Sequence, residues 1–163
     1  MPPVWEADIS LTQEGAARLV ERQFPELAPA RLEPLGVGWD NTAYVVNGRW
    51  VFRFPRRKLA AGLLENEARI LPRLAPHLPL LIPEPVWHGR PEEDFPYPFA
   101  GYALLPGVTA CAVEWTPEER QQNAAPLGRF LAALHAIPVD DEMLARGPGD
   151  ELARADLRKR ARR

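Results

Sequence analysis

At 163 residues the chain is long enough for one compact domain, or one domain with part of a second, and too short for two complete ones. Its 46% hydrophobic and 26% charged residues exclude a disordered chain, and no apolar run approaches the roughly 18 residues needed to span a bilayer. A formal net charge of -2 offers nucleic acid no general attraction.

The opening residues, MPPVWEADIS, lack the basic start and continuous apolar stretch of a secretory signal, so a cytoplasmic setting is expected. Ser10 and Gln13 have capping-box spacing ahead of Leu11, Ala16, Leu19, Val20 and Phe24, which predicts a first helix closed by Pro25 and Pro29. β-Branched and aromatic runs then predict strands over 32–36, 42–46 and 50–54, with Asn47-Gly48 as a hairpin turn.

Residues 58–78 return to helical periodicity, with Leu63, Leu64, Ala68, Leu71 and Leu74 as the buried stripe and Pro72 as a kink or stop. A proline-rich stretch over 76–98 holds a short strand at 86–88. A second strand over 99–105 is stopped by Pro106-Gly107. Five strands and one long helix result, in the order β-β-β-α-β-β.

Cys111, the only cysteine, rules out an intramolecular disulfide and any multi-cysteine metal site. In the apolar run 108–113 it reads as a small buried packing residue. Thr116, Pro117 and Glu119 announce another helix with Leu127, Phe130, Leu131 and Leu134 as its core face and Pro126 as a kink or break. A last helix is expected from Asp150 into Arg163. Its basic residues are interspersed with Asp150, Glu151 and Asp156, which reads as a solvated face.

Three features carry chemistry. Gly36-Val37-Gly38-Trp39-Asp40-Asn41 is a glycine turn between the first two strands, where backbone N–H groups could meet anionic oxygens. On the third strand Val51 and Arg53 share one face and Phe52 and Phe54 the other, placing a cation beside an apolar residue. Glu67 stands amid Leu63, Leu64, Ile70 and Leu71 on the following helix, where an acid requires a partner.

With these elements in this order the chain resembles the aminoglycoside phosphotransferase family of small-molecule kinases. The likeness is carried by LGVGWDNTAYVV, RWVFRFPRR, ENEARIL, IPEP, GYALLPG and LGRFLAALHAIP, which span residues 35–138. It implies an α+β fold: a protein-kinase-like N-lobe over residues 1–107, built on a five-stranded antiparallel sheet, followed over 108–163 by a linker and the first helices of an incomplete C-lobe.

The resemblance further implies that ATP or GTP lies between two lobes. Gly36, Gly38, Trp39, Asp40 and Asn41 would cover its phosphates and Val51 would lie beside its base. Arg53 would stand where kinases usually place lysine, contacting phosphates and pairing with Glu67. Ala103 and Leu105 would meet the base through their backbone. The acceptor would be a hydroxyl on a small molecule such as an aminoglycoside.

Family members also need a catalytic-loop Asp in a His-Gly-Asp segment, a nearby Asn, and a second Asp for Mg²⁺. His77 and His135 lack that context, and His88-Gly89-Arg90 carries Arg where Asp is required. Asp140-Asp141-Glu142 reads as a loop-to-helix start, since adjacent carboxylates do not converge on one cation. No catalytic residue and no metal ligand is therefore expected in this chain, which alone is expected to be inactive. Two other readings stay open: a non-catalytic binding or interaction module that keeps the nucleotide-lobe fold, and a structural fragment with no ligand. Helices without the rest of their lobe are further expected to expose apolar faces through which the chain self-associates.

Overall fold

The computed structural model describes residues 6–141. Within them α1 (Gln13–Gln23), β1 (Leu32–Val37), β2 (Asn41–Val46), β3 (Trp50–Pro55), α2 (Lys58–Leu74), β4 (Pro85–Gly89), β5 (Phe99–Ala103) and α3 (Pro117–Ala136) follow in chain order. The strands form one antiparallel sheet in the order β1-β2-β3-β5-β4, with α2 crossing between β3 and β4. This is the α+β, five-stranded arrangement expected from the sequence. The expected helix over 150–163 lies outside the described residues, as does Glu142.

Asn47 (φ +53°) and Gly48 (φ +64°) take the left-handed conformations a tight hairpin turn requires, joining β2 to β3. The Asn47 side chain also accepts from the Arg31 amide at 2.8 Å and donates to the Leu27 carbonyl at 2.8 Å, so one residue sets the turn and anchors the entry to β1.

Strand alternation divides the sheet into two apolar faces. On one, Phe52 and Phe54 of β3 and Phe99 of β5 are buried against Ala16, Leu19 and Val20 of α1, whose spacing is that of one helix face. Phe24, just past α1, adds ring contacts to Phe52, Trp87 and Phe99. On the other face Ala100 and Tyr102 pack against Leu64 of α2. α2 thus lies over the face that carries Arg53, because Arg53 pairs with Ala100 and Val51 with Tyr102.

Several local expectations are corrected. The N-cap of α1 is Thr12, whose hydroxyl accepts from the Gly15 amide at 3.1 Å, and not Ser10. Asp8 and Ile9 are held extended by amide bonds to the Arg56 carbonyl, and Leu11 packs against the core, so the chain cannot turn helical at Ser10. α2 passes through Pro72, ends at Leu74, and gives way to a 3-10 turn over Ala75–His77, because Pro76 has no amide hydrogen with which to continue the helical hydrogen-bond ladder. Of the expected stripe only Leu64 is fully buried, joined by Ala60 and Ala61, while Leu63, Ala68, Leu71 and Leu74 are half-buried.

β5 stops at Ala103. The Leu104 amide still reaches the Arg49 carbonyl at 2.9 Å, and the chain then leaves the sheet ahead of Pro106. Cys111 is exposed in a 3-10 turn rather than buried, since no described element covers that segment. α3 has the expected capping box of Thr116 and Glu119 and runs unbroken past Pro126. None of its residues is buried among the described residues, and Leu127 and Leu131 are 54% and 44% exposed.

Candidate nucleotide site

The site is built from the β3–α2 unit. Ala60, Leu64, Glu67 and Leu71 follow one another at helical spacing along the side of α2 that meets the sheet, so Glu67 occupies a position its neighbours fill with apolar groups. Opposite it on β3 stands Arg53, whose Nη1 donates to Glu67 Oε2 at 2.6 Å. Both side chains keep about a third of their surface in water, 30% and 38%, so the pair contributes roughly 1 kcal/mol or less to folding. Its consequence is orientation: a cation held in one place while still reachable from outside.

The Arg53 guanidinium also lies over the Tyr102 ring, 5.8 Å from its centroid. Burial pushes the Tyr102 hydroxyl up to about 12, against the opposing pull of the Arg53 charge. An unfolded tyrosine ionises near 10, so the stability this group lends is complete below about pH 10 and is lost as pH rises towards 12. Urea titrations are expected to show a loss of about 1 kcal/mol by pH 11 that Tyr102→Phe removes. An equal loss in that variant would contradict the assignment.

The glycine turn joins β1 to β2. Gly36 lies in β1 and Asn41 opens β2, with Gly38, Trp39 and Asp40 between them. The turn is closed by a bond from the Gly38 amide to the Asn41 carbonyl at 2.9 Å. Neither glycine is required by the fold itself. Both have ordinary negative-side backbone angles, a Cβ at Gly36 would meet nothing within 4 Å, and one at Gly38 would meet only the Asn41 carbonyl oxygen at 3.8 Å. Trp39 projects from the tip, 73% exposed.

Two arginines to which the sequence assigns no role, Arg56 and Arg57, hold this turn. The Arg56 amide donates to the Asp40 carbonyl at 2.8 Å, Arg56 Nη1 donates to the Gly38 carbonyl at 2.7 Å, and Arg57 pairs with the Asp40 carboxylate. Their signal lay in Pro55-Arg56-Arg57 directly after the strand bearing Arg53, opposite the acid of the turn. Nearby, the Asn41 side-chain oxygen is buried without a hydrogen-bond partner among the described residues.

The structure therefore brings Arg53 and Glu67 together and sets Val51 on the same sheet face beside Tyr102. Ala103 is exposed at the end of β5 and pairs with Trp50, and Leu105 is half-buried in the segment that follows. A separate cleft of about 380 Å³ lies between α2 and the β4–β5 edge, lined by Leu64, Ala68, His88, Arg90 and Phe99 and not by Arg53.

Chemically the arrangement offers a positioned cation and a turn without side-chain obstruction, which suits a phosphate-bearing ligand. His88 lies on β4, His77 in a 3-10 turn and His135 in the last turn of α3. Among the described residues no group of three or more His, Cys, Asp or Glu side chains could hold a metal ion. Asp140 pairs with Arg73. No described helix is long and apolar enough to cross a membrane.

The phosphotransferase enzyme family matches residues 31–163. Among solved structures, the chain is similar to the GDP and kanamycin complex of APH(2")-IIia, at 32% identity and a TM-score of 0.72 over 81% of this chain and 44% of that one. It is similar to the GDP complex of wild-type aminoglycoside 2'-phosphotransferase-IIIa at 30% identity and a TM-score of 0.77, over 92% and 50%. Macrolide 2'-phosphotransferase MphH from Brachybacterium faecium matches at 26% identity and a TM-score of 0.57, over 82% and 46%. The chain thus spans about half the length of the structures it matches. A search of curated proteins gives no match.

Proposed function

The chain belongs to the phosphotransferase enzyme family, and from that premise we propose that it is the nucleotide-binding portion of a small-molecule kinase. The parent reaction is transfer of the γ-phosphoryl of ATP or GTP to a hydroxyl of a small molecule such as an aminoglycoside. Residues 1–107 form the nucleotide lobe, and 108–163 begin the second lobe. Support comes from relatives of at least 30% identity that were solved with GDP, one of them also with kanamycin.

The observation that carries the reading is the Arg53–Glu67 pair at 2.6 Å beside a turn whose two glycines the fold does not need. In it, Arg53 binds and orients the α- and β-phosphates, Glu67 fixes the guanidinium, and the turn from Gly36 to Asn41 closes over the anionic oxygens. At the edge of that space Asn41 holds a buried side-chain oxygen that has no partner among the described residues. Val51 lies against the base, and the backbone at Ala103 and Leu105 bonds to it. When bound, Mg²⁺ neutralises phosphate charge in such reactions, and the carboxylates that hold it belong to the part of the fold these residues do not supply.

Binding without chemistry is the expected behaviour of the chain alone. Incubated with kanamycin and either ATP or GTP in Mg²⁺, the purified 163-residue chain is expected to yield no phosphorylated product by mass spectrometry. Product above a no-protein control would overturn the division of labour proposed here.

The exposed Leu127 and Leu131 on α3 favour one second reading, a non-catalytic interaction module that keeps the nucleotide lobe. A stable complex that buries this face without product formation in any partner's presence distinguishes it.

A further inference from the structure

α2 starts without a cap of its own, because its N-cap residue is Arg57 and no side-chain bond from Arg57 satisfies the first turn. The missing acceptor comes from far back in the sequence. Asp8 Oδ2 accepts from the Lys58 amide at 2.7 Å and from the Tyr97 hydroxyl at 3.0 Å. The amides of Asp8 and Ile9 both donate to the Arg56 carbonyl, at 2.8 and 3.3 Å. Ile9 and Tyr97 pack against the main core, which holds the segment in place.

The corner bound in this way carries Arg56 and Arg57, the two residues that hold the glycine turn. It is also the start of the helix that brings Glu67 to Arg53. We infer that Asp8 is a positioning residue for the nucleotide site, capping α2 from outside the helix and fixing the corner that sets the turn from Gly38 to Asp40. The Lys58 amide bond keeps the Asp8 carboxylate below its ordinary range, with the Tyr97 hydroxyl acting the same way, so the charged acceptor is the form the structure uses. The inference rests on the proposed nucleotide site for its functional consequence and on the hydrogen-bond geometry for its structural one.

The test uses the whole chain as Asp8→Ala, Asp8→Asn and Tyr97→Phe variants. Amide hydrogen exchange is followed by NMR, and GTP affinity by titration. In Asp8→Ala, loss of the cap is expected to lower protection about fivefold at the Lys58, Arg56 and Gly38 amides. Tyr44 and Phe52, in the middle of the sheet, are expected to stay unchanged, and GTP is expected to bind about fivefold more weakly. Asp8→Asn keeps an oxygen in place and is expected to retain most of the protection, and Tyr97→Phe to lie between.

Unchanged protection at Gly38 and Arg56 in Asp8→Ala, or a fall shared equally by Tyr44 and Phe52, would overturn the inference. Should Asp8→Ala not fold, Asp8→Asn and Tyr97→Phe decide by the same comparison. Should the parent chain fail to bind GTP, the proposed nucleotide site falls, and the exchange data still decide whether Asp8 positions the turn.

Discussion

Gly101→Ala is expected to destabilise the chain by about 3 kcal/mol, and Gly89→Ala by a similar amount, in urea unfolding at neutral pH. A Cβ on Gly101 would lie 2.6 Å from the Phe52 ring, and one on Gly89 would lie 2.3 Å from the Phe99 ring. Neither ring has room to move. Phe52 and Phe99 are buried at 0% and 1% exposure, and each touches Phe24, Phe54 and the other. Overpacking of this kind forces strained rotamers or moves β5 from β3. Gly62 supplies the contrast, since it is exposed on α2 with nothing within 4 Å. Gly62→Ala is expected to stabilise by about 0.5–1 kcal/mol through helix propensity alone. Equal effects at Gly62 and Gly101 would contradict the packing described for the aromatic face.

Arg53→Ala is expected to weaken nucleotide binding by about 10- to 100-fold while costing about 1 kcal/mol or less in folding. The two magnitudes differ because the same side chain faces different surroundings. In the free chain its pairing with Glu67 is partly screened by water, whereas against a phosphate it makes charge-assisted bonds. Removing Arg53 also leaves the Glu67 carboxylate facing the phosphates. The double variant Arg53→Ala with Glu67→Gln is therefore expected to bind more tightly than Arg53→Ala alone. Arg53→Lys is expected to fall between, since lysine keeps the charge and loses the two-pronged geometry. Additive losses in the double variant would show that the two residues act separately.

Much of this architecture can be read directly from residue patterns. Asn47-Gly48 specifies its turn by local backbone preference, Thr116 and Glu119 specify a cap, and the alternation in Trp50–Pro55 separates Arg53 from Phe52 and Phe54. The Arg53–Glu67 contact was legible for the same reason: an acid inside an apolar helical stripe needs a cation, and the preceding strand offers one.

What was not legible depends on contacts distant in sequence. Ser10 and Thr12 are both sound caps locally, and the choice between them is made by Asp8 and Ile9 bonding to Arg56, 48 and 47 residues further on. The roles of Arg56 and Arg57 follow from where the glycine turn folds back, which no spacing rule encodes. The apolar stripe of α3 was visible, but periodicity says only which face favours burial. Leu127 and Leu131 remain exposed because no described element covers them. Cys111 differs from expectation for the mirror reason, its apolar neighbours lying on a 3-10 segment with no buried residue.

Calorimetric titration of GTP and ATP into the parent chain beside Arg53→Ala tests most directly whether this chain is the nucleotide-binding portion of a phosphotransferase. Saturable binding of one nucleotide per chain is expected, weakened by the variant by at least about tenfold. Absence of saturable binding up to millimolar nucleotide, or equal affinity in both proteins, would contradict it.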